Sequence, residues 1–121
     1  HNFRKYCLKP YNTFVLAGDT CSYDSWDYRW IWTNFGQLLN WKTLECMADD
    51  YYVPDDNKYF VTMTKCDRNS QRQLWECVHE RIKQTLSRRY LYYGEHYRYV
   101  TTKNKYWFSA PKWTRFGSKK D

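Results

Sequence analysis

The pair Cys7-Leu8 returns as Cys46-Met47 and again as Tyr90-Leu91, at separations of 39 and 44 residues. Trp30, Trp75 and Trp113 keep step with it, at separations of 45 and 38. A third marker sits nine residues before each tryptophan: Cys21, Cys66 and Asn104. The first and third markers lie 14 apart in Cys7–Cys21 and in Tyr90–Asn104, and 20 apart in Cys46–Cys66, where the polar loop ADDYYVPDDNKY supplies the excess. Self-similarity at a fixed period implies stacked copies of one supersecondary unit, none able to bury its apolar face alone.

Each copy reads as short strands. TFVLA, YFVTMT and YRYVTT precede the third marker or lie close to it, and are rich in β-branched and aromatic residues. Gly18-Asp19, Asn34-Phe35-Gly36, Pro54-Asp55-Asp56-Asn57 and Gly94-Glu95 punctuate them as turns. The stretch LWECVHERIKQTL, residues 74 to 86, has spacing compatible with an amphipathic helix. Its counterparts RWIWTNFGQLL and KWTRFG carry β-formers and glycine, so a strand followed by a turn is expected instead. Three four-stranded units of about 40 residues predict an all-β chain, a β-trefoil, in a single domain with lobes near 1–39, 40–79 and 80–121. Trp30, Trp75 and Trp113 are its expected core anchors.

Five cysteines in 121 residues point to an oxidising, extracellular compartment. The lobe assignment pairs Cys7 with Cys21 and Cys46 with Cys66, leaving Cys77 unpaired within these residues. The cysteine spacings contain no C-x2-C, which argues against structural zinc, and no metal or cofactor is expected. No apolar run approaches the roughly 18 residues of a membrane span.

Net charge is +7, unevenly placed. Residues 1–79 hold 9 Lys/Arg against 10 Asp/Glu, whereas residues 80–121 hold 11 against 3. The last third, with its stretch YRYVTTKNKYWFSAPKWTRF, therefore suits an anionic partner or a protein with an acidic face. The same residues would suit nucleic acid, which a disulfide-bonded extracellular module disfavours.

At this point the chain resembles the ricin-B-like (R-type) trefoils. More closely it resembles the N-terminal cysteine-rich domain of the mannose receptor family of endocytic receptors. The carrying residues are Cys7-Leu8, Cys21, DYRWIW (27–32), Cys46-Met47, the run VTMTKCD through QLWEC (61–77) and KWTRFG (112–117). The resemblance spans nearly the whole chain. It implies a non-catalytic, extracellular ligand-recognition module, in a receptor that continues with fibronectin type II and C-type lectin-like domains. It also implies that Cys77 pairs with a cysteine a few residues past the KWTRFG segment.

The resemblance implies two kinds of site. Galactose-binding trefoils use an early Asp, an aromatic platform and the Gln of a QxW triplet. Lobe two offers Asp49, Tyr51 (or Tyr52) and Gln73 at those places, as a degenerate sugar site, while Arg72 stands where Asn is expected. The second ligand class is sulfated glycan, bound in lobe three. Here the corresponding surface is expected from Glu95, His96, Arg98, Lys105, Trp107, Ser109 and Lys112, although Ala110 occupies the stacking-tryptophan position. His79 and His96 have the chemistry of an endosomal pH sensor, but surface histidines are the ordinary reading. No nucleophile elbow, P-loop or EF-hand register occurs, so catalysis is not expected. The competing function is a secreted trefoil signalling or inhibitor protein that binds heparin-like polyanions.

Overall fold

The computed structural model describes residues 7–18, 25–55, 58–79, 81–92 and 99–104. Within them the chain is all-β. The strands run β1 (Cys7–Tyr11), β2 (Phe14–Gly18), β3 (Trp30–Trp32), β4 (Leu38–Asn40), β5 (Cys46–Val53), β6 (Lys58–Thr64), β7 (Trp75–Val78), β8 (Arg81–Gln84), β9 (Tyr90–Tyr92) and β10 (Thr101–Lys103). Short 3-10 turns at Trp26–Tyr28 and Gln71–Gln73 precede β3 and β7. Within residues 74–86, Trp75–Val78 pairs with Arg81–Gln84 as the β7–β8 hairpin, with His79 at φ 52° after β7, so the strand reading of that stretch holds.

All these strands belong to one curled antiparallel sheet resembling half a barrel. Three hairpins organise it, each opening on one of the first markers. β1 pairs β2 from Cys7↔Gly18, β5 pairs β6 from Cys46↔Thr64, and β9 pairs β10 from Tyr90↔Lys103. The second strands of the three meet one another. Phe14 pairs with Thr62, Thr101 with Phe60, and Leu16 with Tyr99. Val100 N–H donates to Val15 C=O at 2.9 Å, and Val61 N–H donates to Val100 C=O at 3.1 Å. Val15, Val61 and Val100 are each 0% exposed.

One residue before each valine stands an aromatic ring: Phe14, Phe60 and Tyr99. Their centroids form a triangle with sides of 5.8, 5.4 and 6.0 Å, every pair edge-to-face. Edge-to-face packing places the positive rim of one ring against the negative face of the next. Ala17, Leu38, Met47, Met63, Trp75, Ile82 and Leu91 complete the core, and Leu8, Trp30 and Trp32 pack against it half-buried.

A second repetition, with donors 44 to 45 residues apart, runs through the hydrogen bonds. Trp30 Nε1 donates to Leu8 C=O at 2.8 Å, and Trp75 Nε1 donates to Met47 C=O at 3.0 Å. Each indole thus reaches the second residue of its copy's opening pair. Asn40 Nδ2 donates to Asp27 C=O, and Gln84 Nε2 donates to Gln71 C=O. Both then organise a loop. Leu44 N–H returns to Asn40 C=O and Arg88 N–H to Gln84 C=O, each at 2.8 Å, with Leu44 and Arg88 in the left-handed region at φ 59° and 64°. Trp75 is 2% exposed and Trp30 only partly buried, so the two anchors share a bond but not an environment. Trp113 lies outside the described residues.

The first copy docks on the second at one glycine. Gly36, at φ 89°, accepts from Trp75 N–H at 2.8 Å, and a Cβ there would meet the Trp75 carbonyl oxygen at 3.4 Å. The left-handed backbone is what requires glycine at this turn. Cys46 is bonded to Cys66, with Cα atoms 5.0 Å apart, as the lobe assignment expects. Cys7 is also disulfide-bonded, and its expected partner Cys21 lies outside the described residues. Cys77 is a free, exposed thiol on β7.

Candidate functional site

Asp49 is a buried, multiply bonded carboxylate of the second lobe. Its side chain is fully buried, with Arg89 Nη2 at 2.8 Å from Oδ2. Ser87 Oγ donates to the same oxygen at 2.9 Å, and Thr102 Oγ1 donates to Oδ1 at 2.9 Å. Arg89 Nε donates in turn to Thr102 Oγ1 at 3.0 Å, and its guanidinium lies 3.4 Å from the centroid of the Tyr59 ring. A buried carboxylate is tolerated only when paired and hydrogen-bonded, and both oxygens are so engaged here.

The local chain explains why Asp49 points inward. Pairing of β5 with β6 runs in register through Asp49↔Val61 and resumes at Tyr51↔Phe60, leaving Asp50 as an extra residue. Such a bulge re-aims side chains. Asp49 faces the interior, while Asp50, Tyr51 and Tyr52 are exposed. Thr62 Oγ1 donates to Asp50 Oδ1 at 2.7 Å.

The lobe-two sugar reading is therefore not assembled in the described residues. Asp49 has no face toward solvent. Gln73, 3% exposed, spends its amide within the protein. Its Nε2 donates to Thr64 Oγ1 and Lys65 C=O, both at 2.8 Å. Its Oε1 accepts from Asp67 N–H at 2.9 Å and Gln37 Nε2 at 3.0 Å. All four hydrogen-bonding positions of the amide are filled, which makes Gln73 a strut between copies. Tyr51 is exposed, but its ring packs on Phe14 at 5.4 Å and on Phe60 at 6.3 Å, at the rim of the aromatic triangle.

The residues expected for lobe three, Glu95, His96, Arg98, Lys105, Trp107, Ser109 and Lys112, all lie outside the described residues. Beside them in sequence, the described part of the lobe forms a cleft of about 360 Å³. Lys58 and Tyr59 of β6, Ser87 and Arg89 of the 85–89 loop, and Thr101, Thr102, Lys103 and Asn104 at β10 line it. Three of the eight are cationic and none is acidic. The volume falls within the range of small-ligand sites, about 300–1,000 Å³.

The basic stretch that includes Lys103 was expected from the sequence to meet an anionic partner. Lys58 and Arg89 were not singled out, because β6 and the 85–89 loop reach the cleft only through pairing of β10 with β6 and β9. Elsewhere, Trp26 and Trp41 form an exposed edge-to-face pair at 5.8 Å, with the Arg29 guanidinium 5.1 Å from the Trp26 ring. His79 is exposed in its turn. No cluster of three or more His, Cys, Asp or Glu able to hold a metal occurs among the described residues. No helix among them is long and apolar enough to cross a membrane.

No protein-family model matches the chain, and no curated protein matches it.

Proposed function

We propose that this chain is a β-trefoil recognition module of the kind found at the N-terminus of mannose receptor family proteins. In this reading it acts outside the cell, without catalysis, and binds an anionic ligand, a sulfated glycan or an acidic protein face, through its basic third lobe. The observation that carries the architecture is the convergence of three equivalent hairpins on Val15, Val61 and Val100 beneath the Phe14–Phe60–Tyr99 triangle. Three chain segments that start on repeated markers and end on one axis are what a pseudo-threefold fold requires.

The functional half rests on charge. The cleft wall joins Arg89 and Lys103 of the basic third to Lys58. The Cys46–Cys66 bond fits an oxidising compartment. A sulfated-glycan array probed at low and at physiological salt is the direct test. Binding that requires sulfate and weakens with salt is the expected result. An array on which sulfated and unsulfated glycans are bound equally, or not at all, would remove the glycan reading.

A further inference from the structure

We infer that Tyr52 and Tyr59 form an oxidative cross-linking site, two phenols placed to be joined ring to ring as a dityrosine. The site needs neither a glycan nor a protein ligand, so it stands apart from the function proposed above.

Strand pairing makes the pair. Tyr52 of β5 is directly opposite Tyr59 of β6, so both side chains leave the same face of the sheet. Their ring centroids are 4.5 Å apart, with the planes 36° from parallel. A second tyrosine pair, Tyr11 and Tyr99, stands farther apart at 6.5 Å and 55°. Two phenols side by side bring together the carbons ortho to their hydroxyls, where phenoxyl radicals couple.

The pair is also held and reachable. The Arg89 guanidinium lies 3.4 Å from the Tyr59 ring centroid and is itself fixed by the buried Asp49 carboxylate at 2.8 Å. Tyr52 is 44% exposed, and Tyr59 lines the cleft, so a small oxidant has access to both. Groups positioned in advance react within the molecule faster than with a second molecule.

Comparison of copies shows that the repeated core does not require this rung. Hairpin β1–β2 closes at Tyr11↔Phe14, the level of the aromatic triangle. The matching level in the second copy is Tyr51↔Phe60, and β5 and β6 run on through Tyr52↔Tyr59 and Val53↔Lys58. The Cys46–Cys66 bond closes the opposite end of this longer hairpin and fits an oxidising compartment. A dityrosine would clamp the extension, which contains no cysteine.

The step balances with hydrogen peroxide as oxidant, acting through a haem peroxidase. Each phenol loses one electron and its hydroxyl proton to become a phenoxyl radical. The two radicals form a bond between ortho carbons, and the hydrogens on those carbons move to the oxygens, restoring two phenols. The peroxide takes up the two electrons and two protons and leaves as two waters.

The test treats the whole chain, with Cys77 first capped by alkylation, with a haem peroxidase and hydrogen peroxide at low protein concentration. The monomer is then reduced, digested with trypsin and read by mass spectrometry and dityrosine fluorescence. Cleavage after Lys58 separates Tyr52 from Tyr59. The expected product is peptide 43–58 joined to peptide 59–65, lighter than their sum by two hydrogen atoms. Tyr52→Phe and Tyr59→Phe keep the stacked ring but cannot couple, and each is expected to lower monomer dityrosine about tenfold. Tyr51 is next in the chain and 49% exposed, so Tyr51→Phe controls for exposure alone and should change the signal by less than about twofold. Dityrosine found only in dimers, only between other peptides, or not at all overturns the inference. So does an equal loss of signal in Tyr51→Phe and Tyr52→Phe.

Discussion

The loop of residues 41–45 and the loop of residues 85–89 have the same backbone and different chemistry. Each begins on a buried amide, Asn40 or Gln84, whose carbonyl oxygen accepts a loop N–H, from Thr43 at 3.1 Å and from Ser87 at 2.7 Å. In each a hydroxyl then accepts from the N–H two residues on: Thr43 from Glu45 at 3.2 Å, Ser87 from Arg89 at 3.3 Å. Both carry a left-handed residue and both lead into a strand that opens on a marker. The difference lies opposite them. Asp49 pairs with buried Val61, whereas Pro10 holds the matching place against buried Val15. A proline needs no cation, and the first loop presents Glu45. The buried aspartate needs one, and the second loop supplies Arg89. The same loop backbone thus stands beside a buried charged network at one place and beside a proline at the other.

Breaking that network should give the largest effect. Arg89→Ala leaves Asp49 buried without its counter-charge and is expected to destabilise the fold by about 3–5 kcal/mol in urea unfolding. The matching change in the first copy, Glu45→Ala, should alter stability by less than about 0.5 kcal/mol, as surface substitutions do. Equal losses in the two would mean that the loops differ only in sequence.

Removing the Cys46–Cys66 bond by a double serine substitution should lower stability by about 3 kcal/mol, the chain-entropy value for a loop of this size. The reading is again the urea midpoint, taken with and without reductant. Reductant should lower the parent's midpoint by more than this, because it also opens the bond made by Cys7.

The two indole bonds sharpen the comparison at a finer level. Trp75→Phe leaves the Met47 carbonyl buried without its donor and should cost about 1–3 kcal/mol. Trp30→Phe, at a half-buried site that water can enter, should cost about 0.5–1.5 kcal/mol. A reversed order in thermal unfolding would show that the first copy, not the second, carries the tighter core.

The smallest effect belongs to the left-handed residues. Leu44→Gly and Arg88→Gly each relieve a backbone strain of about 1–2 kcal/mol, largely offset by the conformational entropy of glycine. A net gain below about 1 kcal/mol is expected for each. Arg88 and Leu44 should respond alike, because the backbone at the two positions is the same.

Much of the architecture could be read along the chain. The three opening markers begin the three hairpins, TFVLA and YFVTMT lie in β2 and β6, and Cys46 meets Cys66. The hairpin at residues 75–84 followed from comparing copies, where periodicity within the segment alone left a helix open. The site was less legible. Asp49 stands where a sugar-binding carboxylate was expected, yet strand alternation from Met47 puts it on the buried face opposite Val61. Its partners Ser87, Arg89 and Thr102 lie 38, 40 and 53 residues away in sequence. Gln73 belongs to a QxW triplet, but its four bonds make it a brace.

Taken by itself, the order of residues determined that this chain forms short strands in repeated copies, with a bridged second lobe and its positive charge toward the end. Those properties are local or periodic, and strand propensity, turn residues and spacing record them directly. Which aspartate is buried and which arginine answers it were decided by tertiary structure. Strand pairing brings residues 38 to 53 apart in sequence within 3 Å of one another, which no local pattern records.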